Sequence, residues 1–410
     1  MSTDNAIGGR IRTARKMRHL TVSGLANLVA ISPSLLEKIE RGDRNPSPSL
    51  VVQIARALDI GPEYLHGQPY LNGTESEDQV HAVIPHLRRM MLSFDSPEDL
   101  VIAPRPLPVL AEEVQQVSKM RQDGQYAPIG PLLPGLLTEL THIALDRDGQ
   151  ESQRAYWNLA LAYRAANSVA HKLGYQDLSI ATIERIAWAS DRCGDPYMPI
   201  MAGYLRLGAM LRQGTWNAAT RLSADLESQL HRIQGARWDD TSRGLLGSIA
   251  LKRAVLKARQ GNPDGAMRDI EDAIEIAEAS GNRDGVYYET SFGPSNIRIH
   301  EVHVGMDTNS AGWAVRRLED WGREAGQDGP WVPPADVPAE RRSHHFIDVA
   351  AAQLAAGDRG EAFVALRTAR QIAPNHTRFH PTTRATAEAL QRADRHADDS
   401  LASFARWAGV

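Results

Sequence analysis

An all-α fold is predicted by three features of this 410-residue chain. Strict alternation of apolar and polar side chains is nearly absent, and apolar positions instead recur at helical spacing. The first 66 residues carry Ser, Thr, Pro and Gly where short helices open and close. Beyond residue 150 one type of break recurs about every 40 to 48 residues. These features predict a five-helix N-terminal domain over residues 1–66, a polar linker over 67–80 and an α-solenoid of helical hairpins over 81–410.

The N-terminal elements follow in order. Ile7, Ile11, Ala14 and either Met17 or Arg18 share one stripe of a first helix whose remaining surface is cationic. Thr21 opens a second helix, because its hydroxyl can accept from an orphan backbone N–H. Ser32 caps a third helix with Pro33 at its first position, where no N–H is missed. That helix runs to Arg41 and stops at Gly42. Asn45-Pro46-Ser47-Pro48 breaks the chain before a fourth helix over 49–58, and a short fifth spans 62–65.

The residues Leu20-Thr21 to Leu25-Ala26, Ile31-Ser32-Pro33-Ser34-Leu35-Leu36-Glu37-Lys38-Ile39-Glu40-Arg41-Gly42, Asn45-Pro46-Ser47 and Ile54 to Leu58 closely resemble the lambda repressor/Cro type (Xre family) helix-turn-helix. The resemblance covers about one sixth of the chain and implies binding to double-stranded DNA. In such motifs the N-terminal end of the second helix of the pair meets base edges in the major groove. Ser32, Pro33, Ser34, Glu37 and Lys38 occupy that end. Lys38 can donate to guanine, Ser34 to several acceptors, and Glu37 can accept from cytosine N4. Arg10, Thr21, Arg41, Arg44 and Asn45 are placed for phosphates, which position a protein without reading sequence. The family also implies a structural salt bridge between Arg15 and Glu40. Val22 departs from the family's frequent glutamine at that position, which removes one DNA contact. Residues 1–66 hold nine Lys/Arg against six Asp/Glu, so the N-terminal domain is basic within a chain of net charge −4. So modest a bias argues for a homodimer on an inverted repeat rather than a single module.

After the linker, helices are expected at 81–94, from Pro106 to about Asp123, and at 131–146. Further on, Gly214-Thr215-Trp216-Asn217-Ala218-Ala219, Gly261-Asn262-Pro263-Asp264-Gly265-Ala266 and Gly357-Asp358-Arg359-Gly360-Glu361-Ala362 share one grammar. A helix ends at Gly, a polar turn follows, and the next helix opens on a small residue. Small residues let paired helices approach, while Tyr163, Trp188, Leu205 and Leu256 fill between them. This is similar to tetratricopeptide-like repeats, although the period is longer than the standard ~34 residues; a generic helical bundle is the alternative.

A helix-turn-helix followed by such a solenoid resembles the RRNPP group of bacterial peptide-sensing regulators. The resemblance implies a sensory domain that dimerises and takes a small peptide in its concave groove, with asparagines clamping the peptide backbone. Asn158, Asn167 and Asn296 are candidates for that role. Asn296, Arg298 and His300 follow Phe292 in a polar cluster suited to a ligand with carboxylate groups; the alternative is that Asn296 braces its hairpin and the histidines are satisfied. Arg164, Tyr204, Arg206 and Arg243 complete the ligand-binding candidates. A protein-docking scaffold, or a groove for a non-peptide metabolite, are the competing readings.

Catalysis is not expected, since no nucleotide-binding loop or nucleophile elbow is present. No cofactor or metal is expected either. His300-x-x-His303 and His344-His345 lack an evident third ligand, and Cys193, the single cysteine, reads as structural. One cysteine, no apolar run of membrane-spanning length and no apolar signal core predict a cytoplasmic protein without membrane partners.

Overall fold

The computed structural model describes residues 6–70, 80–96, 103–234, 238–393 and 399–410. The N-terminal part comprises α1 (Ile7–Met17), α2 (Val22–Leu28), α3 (Pro33–Arg41), α4 (Pro48–Ala57) and α5 (Pro62–His66). Thr21 Oγ1 accepts from Gly24 N–H at 2.9 Å and Ser32 Oγ from Leu35 N–H at 3.2 Å, so both expected caps form. Ile11, Leu25, Leu36, Ile39, Ile54, Leu58 and Leu65 make the core. Helices α1 and α3 cross so closely that a Cβ on Gly8 would lie 2.2 Å from the Ile39 carbonyl oxygen, which requires glycine there. Arg18, not Met17, continues the inner side of α1: its guanidinium donates to the Leu58 carbonyl at 2.8 Å, while Met17 is exposed.

The remainder is built from helices in sequence: α6 (Ile84–Leu92), α7 (Leu107–Gln122), α8 (Tyr126–Asp146), α9 (Gly149–Lys172), α10 (Gln176–Ser190), α11 (Met198–Gln213), α12 (Trp216–Gln234), α13 (Asp240–Arg259), α14 (Pro263–Ala279), α15 (Pro294–Asp307), α16 (Ala311–Glu324), α17 (Ala339–Ala356), α18 (Arg359–Ile372), α19 (Pro374–Phe379), α20 (Pro381–Ala393) and α21 (Asp399–Ala408). The most extensive pairings are the hairpins α9/α10, α13/α14 and α17/α18. Gly214, at φ +71°, ends α11 in the left-handed conformation that the Gly–turn–small grammar requires. Two departures from the sequence reading have local causes. Helix α8 begins at Tyr126, a turn before Pro131, and carries Pro131 and Pro134 inside it, where each leaves a ladder hydrogen bond unmade. Between α14 and α15 lies a short antiparallel hairpin, β1 (Gly285–Tyr287) and β2 (Thr290–Phe292), with Val286 opposite Ser291.

The coil of hairpins closes on itself. Helix α17 reaches back to α7, and α19 to α8. Lys172 Nζ lies 2.7 Å from Glu340 Oε1, and Tyr126 packs edge-on to His376. The Arg121 guanidinium pairs with Glu289 in the hairpin turn. The N-terminal helices lie against this ring. Ser49 Oγ donates to the Asp307 carbonyl at 3.0 Å, Arg56 stacks over Trp216, and Val52 and Arg56 press on Gly214. Gly67–Tyr70, the described start of the expected linker, also lies on the ring, with Arg384 over the Tyr70 face; residues 71–79 lie outside the described residues. Among the described residues no helix is long and apolar enough to cross a membrane.

Candidate functional site

Two surfaces carry the chemistry. The first is the N-terminal end of α3. Leu36 and Ile39 turn inward, which leaves Ser32, Pro33, Ser34, Glu37 and Lys38 exposed on one face, with Thr21 exposed at the start of α2. Behind them Arg15 grips Glu40 in a bidentate pair, Nε to Oε1 at 2.6 Å and Nη2 to Oε2 at 2.8 Å, both residues being buried. This hydrogen bond raises the Arg15 guanidinium further above its ordinary value, against the opposing effect of burial. Arg12 lies 3.5 Å from the same carboxylate.

Not every expected phosphate contact is free to reach DNA. Asn45 donates to the Ala385 carbonyl at 2.9 Å and accepts from Arg392 at 3.5 Å, so the closed ring takes up its amide. Arg10 donates to the Leu65 carbonyl at 2.7 Å and is lowered by burial, with Glu388 and Tyr70 opposing. The causes differ: Asn45 is taken up where the N-terminal helices dock on the C-terminal hairpins, whereas Arg10 is held by a carbonyl of its own domain. Arg41 is exposed and pairs with Asp43 at 2.8 Å, and Arg44 is exposed.

The second surface is a cavity of about 1320 Å³ inside the closed ring, whose wall includes the 42–48 loop of the N-terminal part. Eleven Lys and Arg line it against five Asp and Glu, so its charge is strongly positive although the whole chain is acidic. Five of these cations have carboxylate partners: Arg121 with Glu289, Lys172 with Glu340, Arg259 with Asp307, Arg41 with Asp43 and Arg392 with Glu388. Four deep cations have none among the described residues. Arg164 donates to Ser168 Oγ at 3.0 Å, and Arg341 donates to Asn296 Oδ1 at 3.0 Å with His300 Nδ1 3.5 Å away. Lys252 lies over the Tyr204 ring, and the Nε atoms of Arg164 and Arg212 are buried without a hydrogen-bond partner. Burial, then Arg341, Arg212, Arg259 and Arg164, push the Lys252 ammonium down to about 7. Burial and Arg121 push Arg164 down to about 10, and burial and Arg259 do the same to Arg212. Concentrated, partly unsatisfied positive charge of this kind is costly unless an anion joins it.

Of the ten residues expected to meet a ligand, Arg164, Asn167, Tyr204, Asn296 and His300 line the cavity. The asparagines there are already engaged. Asn167 donates to the Ser179 carbonyl at 2.9 Å and to the Ser179 and Thr182 hydroxyls, bracing α9 on α10. Asn296 donates to the Ser291 carbonyl at 2.6 Å, which fixes the β2–α15 turn. His300 Nδ1 lies 2.9 Å from the Asn296 carbonyl.

The other five lie outside the cavity wall. Asn158 donates to the Arg154 carbonyl within its own helix. Arg206 is exposed, and Arg243 lies 3.7 Å from Asp240 at the start of α13. Phe292 is core, pressed onto Gly247, and Arg298 is wedged against Trp321 and Trp331. Sequence reasoning missed Lys252, Arg212 and Arg341. Arg164 did leave a signal, since it is a lone cation inside a run of small and apolar residues.

The sequence reading also found no third ligand beside its histidine pairs. The packing of α15 on α17 supplies one, placing donor atoms of His303, His344 and Asp348 within 4.8 Å of one another. Cys193 is buried, and its Sγ donates to the Ser190 carbonyl at 3.1 Å.

The capped α2–α3 pair, with its inner apolar side and exposed polar tip, defines a helix-turn-helix DNA-binding protein. A helix-turn-helix family model matches residues 11–65. Over 58 residues the chain is 41% identical to YazB, an uncharacterized HTH-type transcriptional regulator of Bacillus subtilis, covering 14% of this chain and 84% of that protein. An uncharacterized HTH-type transcriptional regulator of Mycobacterium tuberculosis is 38% identical over 59 residues, 14% of this chain and 42% of the relative. The chain belongs to the HTH-type transcriptional regulators. Its fold is also similar to the crystal structure of Bacillus thuringiensis PlcR in complex with the peptide PapR7 and DNA. There the identity is 15% and the TM-score 0.29, over 67% of this chain and 95% of that one. The apo form of the competence regulator ComR from Streptococcus vestibularis gives 15% identity and a TM-score of 0.24, over 68% and 93%.

Proposed function

We propose that this DNA-binding transcriptional regulator is gated by an anionic signal, a short peptide held through its carboxylates in the central cavity. The observation that carries the reading is the set of four cations, Arg164, Arg212, Lys252 and Arg341, without carboxylate partners on the wall of a cavity that the DNA-binding domain helps to close. The cavity volume exceeds the ~300–1,000 Å³ usual for small-molecule pockets, which favours a peptide. A smaller anionic metabolite is the second reading, favoured by Asn167 and Asn296, whose amides are already engaged within the protein. Residues 1–66 act as the DNA-binding domain and residues 81–410 as the sensory domain, joined through 67–80. The protein works as a cytoplasmic homodimer on an inverted repeat, its heads contacting DNA through Thr21, Ser32, Pro33, Ser34, Glu37, Lys38, Arg41 and Arg44. A ligand shifts DNA binding only as far as it prefers one arrangement of heads over another.

The test is a nuclease footprint on the protein's own promoter region, with and without extract of the producing cells fractionated by charge and by protease treatment. Wild-type protection should change with an anionic fraction, and protease sensitivity of that fraction separates peptide from metabolite. A Lys252→Met, Arg164→Met double variant should bind DNA but ignore the extract. Protection indifferent to every fraction refutes ligand gating and favours a protein-docking scaffold.

A further inference from the structure

We propose that His303, His344 and Asp348 form a site for a first-row divalent transition-metal ion, of the two-histidine, one-carboxylate type, opening into the central cavity. Asp348 Oδ2 lies 3.0 Å from His303 Nδ1 and 3.4 Å from His344 Nε2. Zinc-type bonds of about 2.0–2.2 Å place neighbouring donors roughly 3 Å apart, so the triad is near its bonded geometry. His344 and Asp348 are i and i+4 on α17, which puts them on one helix face. His303 comes from α15 across the hairpin interface, and all three line the cavity, which leaves open coordination positions on that side.

The surroundings fit an ion. The other ring nitrogen of His303 lies 3.4 Å from Asp307 Oδ2 and 3.4 Å from Arg259 Nη2, and Arg259 Nε holds that carboxylate at 2.8 Å. A carboxylate behind a ligating histidine is the usual outer support of such sites. His344 Nδ1 is buried without a partner, and burial, then His380 and Arg341, keep this imidazole neutral with a lone pair to give. Asp348 supplies the negative charge that a divalent ion needs. Burial disfavours charge on His303, but Asp348 and Asp307 outweigh it and raise its value. A second histidine set, His344 with His376 and His380, shares one residue with the triad. There Lys172 Nζ stands 3.2 Å from His376 Nε2, and its ammonium opposes a cation. The triad includes a carboxylate ligand and the all-histidine set does not, so the triad is the site.

Tag-free full-length protein, stripped with chelator, is titrated with Co²⁺, followed by visible absorption and then displaced with Zn²⁺. One equivalent should bind. His303→Ala and Asp348→Asn should weaken binding by at least about tenfold, and Asp307→Asn, behind His303, by about 10–100-fold. His376→Ala should bind as wild type. Far-UV circular dichroism checks each fold, and Asp348→Asn preserves side-chain volume. Absence of saturable one-equivalent binding in the wild type overturns the proposal. So does binding that survives both His303→Ala and Asp348→Asn, or binding lost in His376→Ala and kept in His303→Ala. The result is independent of what the cavity's organic ligand is.

Discussion

Replacing Glu40 with Ala should strongly destabilise the DNA-binding domain while leaving the ring of hairpins standing. Glu40 is buried and receives both guanidinium arms of Arg15, with Arg12 close behind. Its removal strands a buried cation, a loss of about 3–5 kcal/mol in comparable pairs. Arg15 keeps one contact, to the Leu20 carbonyl at 2.8 Å, so the lower end applies. About 3 kcal/mol is a factor of more than a hundred in the local folding equilibrium. At ~0.05–0.15 kcal/mol per residue, a domain of about 60 residues holds only ~3–9 kcal/mol in total. The assay follows from the aromatic distribution: all eight tryptophans lie beyond residue 150, so their fluorescence follows the repeat domain. Hydrogen exchange of the α1–α4 amides should reveal the lost stability at an unchanged tryptophan transition, with operator binding reduced in proportion. Arg15→Met with Glu40→Leu should restore most of it, because two apolar groups leave no buried charge. A Glu40→Ala domain within about 0.5 kcal/mol of wild type would refute the reasoning and make the pair a surface one.

Ser34→Ala with Lys38→Ala should abolish operator preference while fold and oligomeric state persist. Each lost base contact costs about 1–3 kcal/mol, read as the ratio of operator to random-sequence affinity; an unchanged ratio would remove α3 as the reading helix. Removing residues 1–72 should leave a soluble helical dimer by light scattering, and a monomer would place the dimer contacts in the heads. Lys252, lowered to about 7 by burial and the neighbouring arginines, carries two pH signatures. Between about 7 and its ordinary value the unfolded chain binds a proton that the folded chain lacks, so this residue makes stability rise with pH there, and Lys252→Met should remove that slope. An anion beside it favours the charged form, so ligand binding should take up a proton and weaken as pH rises above about 7; calorimetry in buffers of different ionisation heat measures this.

Legibility in the sequence followed the range of the interactions. Thr21, Ser32, Pro33 and Gly42 act within one helical turn, so the caps and the third helix were readable to the residue. The Gly214 and Gly357 breaks are equally local. The closure of the ring is not. It depends on pairs such as Lys172–Glu340 and Arg121–Glu289, 168 residues apart, and nothing in either segment names its partner. The cavity residues split for the same reason. Arg164 stood out as a cation in an apolar run, but Arg341 faces the cavity only because α17 returns to α7. Asn158 and Asn167 are equally polar in sequence. Only packing shows that one bonds along its own helix while the other ties two helices together. His303 and Asp348 are 45 residues apart, so their pairing was invisible until α15 met α17.

The docking of the heads explains how one cavity could govern DNA binding. The polar tip of α3 is exposed, whereas the opposite side of the domain meets the ring through Ser49–Asp307, Asn45–Ala385 and the Arg56–Trp216 stack. Each such contact contributes about 1 kcal/mol, so these three together hold the docked arrangement by a few kcal/mol. A ligand therefore needs only a comparable difference in affinity between docked and released heads, about 10²- to 10³-fold, to move the population substantially. The 42–48 loop forms part of the cavity wall while Asn45 and Ser47 belong to the DNA-binding domain, so an anion drawn to Arg164, Lys252 and Arg341 meets the docking contacts directly. Asp307 joins both functions: its carbonyl accepts from Ser49 and its carboxylate lies between Arg259 and His303. Any change in the charge held at that wall acts on a residue the heads touch.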